Sequence, residues 1–546
     1  MATFILLSTF IISVIALIFF VIAMVKGWFD PDAKGATVIF AKNEIGTADD
    51  PAASPQAREA LQAAVPDPAD HPQDAGELAA RAAADASSRT VTFIFMCCAI
   101  VWMIAASAAG LVASIKLHSP DWLGAYEWLT FGRVRTLHLN ALAYGFLPMA
   151  GLGIAMWLLP RLLKTELVGA RLALLGAILW NAGLIAGLGA IAAGLTDGME
   201  WLEMPWQVDT LLVIGGALIA LPLVLTVKRR TVEHLYVSVW YMGAALFWFP
   251  VLFLVGNLPG VHFGVQQAGM NWWYGHSVLG LFFTPLALAT IYYFLPKAMG
   301  TPVKSYALSL LGFWTLAFFY GQVGGHHLIG GPVPGWLTTL SIVQSVMMVI
   351  PVVAFSINMG GTLKGQMHLA RYSPTLRFMM FGGLMYLASS LQGSFEALRS
   401  VNQVVHFTHH TVGHAHLGAY GFVTMVLFGA IYFMMPRVLS WEWPYPKLIT
   451  LQFWLAAIGI AIYFTGLSIG GYLQGVAMLD AKRPFMDSVN LMAPYLQSRT
   501  VGGSLMVLSH LIFVGHFLAM ALRFGPSRTG AALFWQQGQQ ELAHGK

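Results

Sequence analysis

The sequence predicts an all-α integral membrane protein. Three observations carry this expectation. The 546-residue chain is 57% hydrophobic and only 10% charged, with a mean hydropathy of +0.69, which lies outside the range of soluble enzymes. Apolar windows of about 20 residues, the length that crosses a bilayer, fall near 3–25, 92–115, 136–159, 169–194, 208–227, 235–256, 272–295, 305–324, 336–358, 376–394, 412–435, 447–470 and 502–523. Those are thirteen candidate helices. Lys and Arg then collect in alternate loops, at Lys26, Arg161 with Lys164, Lys228 to Arg230, Lys297 with Lys304, Lys364 to Arg377, Arg437 with Lys447, and Arg523. Cytoplasmic loops gather such residues, so the net charge of +5 reports topology and gives no reason to expect a nucleic-acid partner.

Taken in order, residues 1–28 contain FILLSTFIISVIALIFFVIAMV, an apolar run too long for a signal-peptide core and followed by no small-residue cleavage site. This predicts a retained transmembrane anchor. Residues 29–90 form an Ala, Pro and Asp-rich cytoplasmic linker, and from 47 to 90 no large apolar face develops. Such a stretch cannot bury enough surface to order itself, which predicts a mobile tether, with a loose Ala-rich helix at 75–86 as the alternative. The next helix holds the only two cysteines, Cys97 and Cys98. Adjacent helical side chains diverge, so these read as small packing residues. No CxxCH occurs, so the chain attaches no c-type haem. A cytoplasmic tail follows residue 525.

The histidines carry the chemistry. In TVGHAHLGAYGF at 411–422, His414 and His416 stand two residues apart, turned by about 100° per residue, and so point to opposite sides of one helix. They can hold two separate groups, and a pair of haems is the bulky apolar partner that takes one axial imidazole on each side. The bland alternative is two hydrogen-bonded core histidines. RVRTLHLNALAYGF at 133–146 places His138 one turn inside the non-cytoplasmic face, at a depth comparable to His416, and two imidazoles across a porphyrin make a low-spin haem. Arg133 and Arg135 lie just above, where carboxylate substituents of a haem would emerge; an interfacial position for both is the alternative.

NWWYGHSVLGLFF supplies His276, and FFYGQVGGHHLIGG supplies His326 and His327. Gly324 and Gly325 let the backbone unwind so that both rings reach one site, and three imidazoles suit copper, zinc or iron. Tyr320, on the same helix, stands close enough to such a metal to give a proton and an electron, whereas Tyr274 reads as an interfacial belt residue. Glu396 is an acid at the outer edge of the core, a proton carrier or an ordinary loop carboxylate. His406, His409 and His410 read as interface residues, and His510 and His516 find no partners by spacing.

With these six histidines on one apolar scaffold, the chain resembles the catalytic subunit of the haem–copper oxidases, and within them subunit I of the cbb3-type cytochrome c oxidases. FGRVRTLHLNA, LEMPWQVDTLL, HLYVSVWYMGA, NWWYGHSVLGLFF, YGQVGGHHL, SFEALRSVNQVVHFTHHTVGHAHLGAYGF and PYLQSRTVGG carry the resemblance, over residues 90 to 523. It implies a twelve-helix core over residues 91–525, with the first helix as an N-terminal addition. That addition is similar to a small single-helix assembly protein of these oxidases. Residue by residue, the resemblance implies low-spin haem b on His138 and His416, high-spin haem b3 on His414, and copper (CuB) on His276, His326 and His327. It makes Tyr320 the active-site tyrosine, joined covalently to His276, and Glu396 an acid of the same site. Ser305, Tyr306 and Ser309 fall where proton uptake would begin, and a structural calcium ion is a further expected cofactor.

The implied activity is reduction of O2 to water in a bacterial inner membrane. Electrons would come from cytochrome c through membrane-anchored mono-haem and di-haem c-type subunits, coupled to proton uptake and pumping. The chain departs from the family pattern at Gly325, where a Pro is usual, at Ser277, where an Asn is usual, and at HFTHH in place of HYTDW. The competing activity is nitric oxide reduction, which calls for a glutamate one turn beyond the first metal histidine, where this chain has Gly280, and lacks the tyrosine. A metal or solute transporter is the competitor from outside the enzymes.

Overall fold

In lipid every backbone N–H and C=O must find its partner within the protein, and a helix achieves this inside one segment. The computed structural model of this chain is correspondingly helical. It describes residues 33–41, 44–63 and 75–525, with isolated positions before residue 33. The expected anchor over 1–28 and tail over 526–546 lie outside the described residues. Twelve long helices follow one another: α1 (Ala75–Lys116), α2 (Phe131–Leu163), α3 (Ala170–Ala192), α4 (Trp206–Lys228), α5 (Val237–Gly256), α6 (Val265–Met299), α7 (Tyr306–Leu328), α8 (Gly335–Leu363), α9 (Pro374–Glu396), α10 (His409–Leu439), α11 (Pro446–Leu479) and α12 (Phe485–Ala521). Among the described residues, eleven of them are long and apolar enough to cross a membrane. The other, α9, is 23 residues long and carries a polar stripe of Ser389, Gln392, Ser394 and Glu396; it packs against α6, α8 and α10.

Burial separates the helices into two kinds. In α2, α6 and α10 about nine-tenths of the most apolar stretch is enclosed by protein, whereas α3, α4 and α12 keep well over half of theirs on the outside. The enclosed three carry His138, His276, His414 and His416. Each departs from α geometry at its histidines, through π-helical segments at Ala141–Phe146, Leu279–Phe283 and Leu417–Thr424, while α7 tightens into a 3-10 segment over Tyr320–Leu328. Single wide turns of this kind concentrate at functional sites.

Of the stretch expected as a mobile tether over 47–90, residues 64–74 lie outside the described residues, 47–63 pack on the protein, and 75–86 are helical, as the alternative reading had it. Residues 75–90 are the opening turns of α1. Residues 33–41 and 44–63 pack on the Lys- and Arg-bearing helix ends with two short helices, Ala33–Thr37 and Pro55–Ala63, and bury Ile39, Phe40, Ala48, Ala52 and Leu61 in the main core. Small side chains suffice there because charge completes the docking: Glu44 takes Lys297 Nζ at 2.6 Å and Arg81 Nη1 at 2.8 Å, and Arg58 reaches Asp49 and Glu442. An Ala and Asp-rich composition conceals such pairs, since partners such as Lys297 and Glu442 lie far away in the sequence.

Candidate haem and copper site

His138 and His416 face one another with ring centroids 6.3 Å apart and planes within 6°. Two metal–imidazole bonds of about 2 Å each account for most of that gap, the ring atoms themselves for the rest. Each ring is oriented by a backbone carbonyl: His138 Nδ1 meets Ala106 O at 2.8 Å, and His416 Nδ1 meets Val412 O at 2.8 Å. Carbonyls accept only, so both Nδ1 atoms carry the proton, the arrangement that metal-binding histidines favour; the Nε2 lone pair of His138 is left for a ligand, and that of His416 accepts from Tyr463 Oη at 3.1 Å, a contact that a bound metal would replace. Gly110 makes room for the first ring, since a Cβ there would come within 2.6 Å of His138 Nδ1. A cavity of about 130 Å³, almost wholly apolar, adjoins the pair.

His276, His326 and His327 converge, with one ligand atom from each lying within 4.8 Å of the others. His326 is held by Ser345 Oγ at 3.0 Å, and Trp272 stacks on His327 at 4.0 Å. Gly324 and Gly325 do serve this convergence, but by close approach. A Cβ on Gly324 would lie 2.2 Å from the Trp272 carbonyl, and one on Gly325 would lie 3.1 Å from Ser341 Cβ.

These three and His414 line one cavity of about 600 Å³, within the range of cofactor sites, roughly 300–1,000 Å³. Two of its buried ring nitrogens, His276 Nδ1 and His414 Nδ1, have no hydrogen-bond partner. A buried polar atom without a partner is costly, and imidazoles clustered around a cavity of this size fit bound metal and haem. Among the described residues this trio is the one group of three or more His, Cys, Asp or Glu placed to hold an ion, so no carboxylate cluster marks the expected calcium.

Tyr320 lines the same cavity with its ring 5.4 Å from that of His276. Its ring covers Gly280 so closely that a Cβ on residue 280 would fall 1.7 Å from Tyr320 Cζ. Tyr274 is corrected from a belt residue to a fully buried one, its hydroxyl 2.8 Å from that of Tyr144. Glu396 is 7% exposed, lines the cavity and lies 3.1 Å from His410 Nε2. His410 is therefore more than an interface residue. Its Nδ1 meets Ser468 O at 3.0 Å, so that nitrogen donates, and Nε2 lies 3.1 Å from both Glu396 Oε1 and the side-chain amide nitrogen of Gln392. His406 stacks on Phe407 beside them at 3.8 Å.

The arginines divide. Arg135 lines the large cavity and pairs with Glu200 at 2.5 Å. Arg133 instead donates to Ala192 O at 3.1 Å, at the exposed end of α3, which lacks intrahelical partners for its last carbonyls. The guanidinium missed in the sequence is Arg499, which lines both cavities and donates from Nε to Tyr463 Oη at 2.8 Å. Outside the membrane, the carboxyl of Glu203 is pushed up to about 7 by burial, although Asn140 donates to it at 2.9 Å. Towards the opposite end of α7 from its histidines, Ser309 is wholly buried and accepts from Asn358 Nδ2 at 2.9 Å. One turn further in, a Cβ on Gly312 would lie 3.6 Å from Tyr241 Oη and 3.9 Å from Tyr292 Oη, so hydroxyls continue the line.

Residues 90–505 match the family model described as cytochrome c and quinol oxidase polypeptide I. The chain belongs to that family. This oxidase subunit is 32% identical over 447 residues to the cbb3-type cytochrome c oxidase subunit CcoN1 of Stutzerimonas stutzeri, covering 79% of this chain and 94% of that one. It is also 32% identical over 450 residues to a bacteroid cytochrome c oxidase subunit 1 homologue of Bradyrhizobium diazoefficiens, covering 78% and 81%. A cryo-EM structure of a haem–copper terminal oxidase dimer shares the fold, with a TM-score of 0.65 over 81% of this chain and 86% of that one at 16% identity. The oxidase subunit is thus a multi-pass bacterial membrane protein of a respiratory family that uses haem and copper.

Proposed function

We propose that this subunit reduces O2 to water, with electrons delivered by cytochrome c through membrane-anchored mono-haem and di-haem c-type subunits on the outer face. His138 and His416 hold low-spin haem b, His414 holds haem b3, and His276, His326 and His327 hold CuB. When bound, haem b3 and CuB supply the paired metals at which O2 is reduced, and haem b relays single electrons to them. The remaining roles fall to the chain itself. Tyr320 holds a proton on Oη at the cavity wall and gives it up together with an electron. Glu396 and His410 hold a proton between Oε1 and Nε2 on the outer side. Ser309 and Asn358 pass protons inward from the cytoplasm, and Arg135 and Arg499 hold carboxylate substituents of the cofactors. Proton pumping, and an assembly role for the N-terminal extension, complete this reading.

The observation that favours O2 over nitric oxide is the Tyr320 ring lying against Gly280, which leaves no room for a carboxylate side chain there. Because positioned proton donors contribute about 10²- to 10⁴-fold in rate, Tyr320→Phe is expected to keep both haems and copper yet lose O2 reduction at least about 100-fold. Tyr274→Phe keeps most of it. Peptide mapping is expected to find Tyr320 linked to His276. A Tyr320→Phe enzyme that respires at the parent rate, or a parent that turns over nitric oxide much faster than O2, overturns the assignment.

A further inference from the structure

His510 is an imidazole within α12, 7% exposed, that the roles above leave unused. Both its ring nitrogens are engaged, Nδ1 with Ser107 Oγ at 2.7 Å and Nε2 with Tyr420 Oη at 3.0 Å. The direction of these bonds follows from proton count. A hydroxyl has one proton, and that of Ser107 goes to Met103 O at 2.6 Å. Ser107 Oγ must then accept, so His510 carries its proton on Nδ1 and accepts from Tyr420 on Nε2. The result is a one-way chain, Tyr420 to His510 to Ser107 to the Met103 carbonyl, across three helices.

Both ends of this chain lie beside the facing pair of imidazoles. Tyr420 stands four residues after His416, in the π-helical segment that follows it. Ser107 is next to Ala106, whose carbonyl orients His138. His510, Ser107 and Tyr420 also line the small cavity with both histidines. A buried chain that is fully satisfied is rigid, and a break in it leaves polar groups stranded.

We propose that His510, Ser107 and Tyr420 are positioning residues for the low-spin haem: the chain they form sets the near-parallel orientation of the His138 and His416 rings. The proposal rests on the assignment of that haem to this pair. The angle between two axial imidazoles fixes the anisotropy of the low-spin electron paramagnetic resonance signal, and parallel rings give a rhombic signal of modest anisotropy.

In the full oxidase complex, His510→Leu is expected to retain haem, raise the largest g-value of the low-spin signal and move the midpoint potential of that haem. The carbon monoxide difference spectrum of the other haem stays unchanged. His510→Gln, which can donate to Ser107 and accept from Tyr420, restores the parent signal. Tyr420→Phe, which keeps the ring and removes one end of the chain, shifts it in the same direction as His510→Leu and carries the test if the leucine variant does not accumulate. Parent g-values and potential in both His510→Leu and Tyr420→Phe overturn the proposal. A parent that shows no low-spin signal overturns the haem assignment beneath it, and the proposal with it.

Discussion

His416 gives its Nδ1 proton to Val412 O within its own helix, which decides that Nε2 is the atom it presents to a metal. Removal of the ring removes the proposed axial ligand and leaves His414, which lies beside Gly393 on the wall of the large cavity. His416→Ala is therefore expected to abolish the low-spin band in a reduced-minus-oxidised spectrum while some carbon-monoxide-binding haem remains. A normal low-spin spectrum in that variant contradicts the ligand assignment. The six histidines that the structure brings together were legible in the sequence because an imidazole inside an apolar run has few ways to be satisfied there. Arg499, His410 and His510 were not. Each takes its meaning from a partner on another helix: Tyr463 lies 36 residues from Arg499, Ser468 lies 58 from His410, and Ser107 lies 403 from His510. The contact of Arg133 was equally hidden, since its partner, Ala192 O at the end of α3, lies 59 residues away.

At the scale of elements, the convergence of His276, His326 and His327 depends on how tightly the 3-10 segment of α7 seats on α6. Gly324 sets that distance, because the Trp272 carbonyl occupies the place a Cβ would take. Backbone cannot yield as a flexible side-chain tip does, and overpacking of this kind costs about 1–3 kcal/mol. Gly324→Ala is expected to displace His326 and His327 from His276 and lower the copper content found by metal analysis, with the low-spin haem spectrum intact. Full copper occupancy in that variant would show that the contact is slack. The sequence indicated the long helices well, because apolar length is a direct consequence of bilayer thickness. The π-helical turns after His138, His276 and His416 were invisible, since widening one turn changes a few backbone angles and leaves hydropathy untouched. The polar stripe of α9 was readable as a helix because its apolar residues are still numerous enough to face its neighbours.

Across the whole molecule, residues 44–58 tie together one set of ends of the helices that hold the site. Glu44 binds Lys297 at the end of α6 and Arg81 on α1, Asp49 lies 3.6 Å from Arg437 on α10, and Arg58 reaches Glu442 just beyond it. Asp50 is fully buried and accepts from Ser373 Oγ at 2.6 Å, Thr375 Oγ1 at 2.8 Å and the backbone N–H of Thr375 at 2.9 Å, so it caps the first turn of α9 from another part of the chain. The two acids respond to pH in opposite senses. Burial opposes the charge of Glu44, but Lys297 and Arg81 outweigh it and hold its carboxyl well below the usual range. The stability it contributes is present above the ordinary glutamate value of about 4.3 and fades as the pH falls below that. Burial raises the carboxyl of Asp50 despite its hydrogen bonds, so its contribution is greatest when protonated and declines as the pH rises through that raised value. Limited proteolysis between residues 44 and 63 is therefore expected to accelerate below about pH 4, and Glu44→Gln is expected to open the segment to cleavage at neutral pH. Asp50→Asn keeps hydrogen-bonding capacity without the charge and is expected to flatten only the limb that declines as the pH rises. Loss of both limbs in either single variant would mean that the two acids act as one coupled group and not as separate ties.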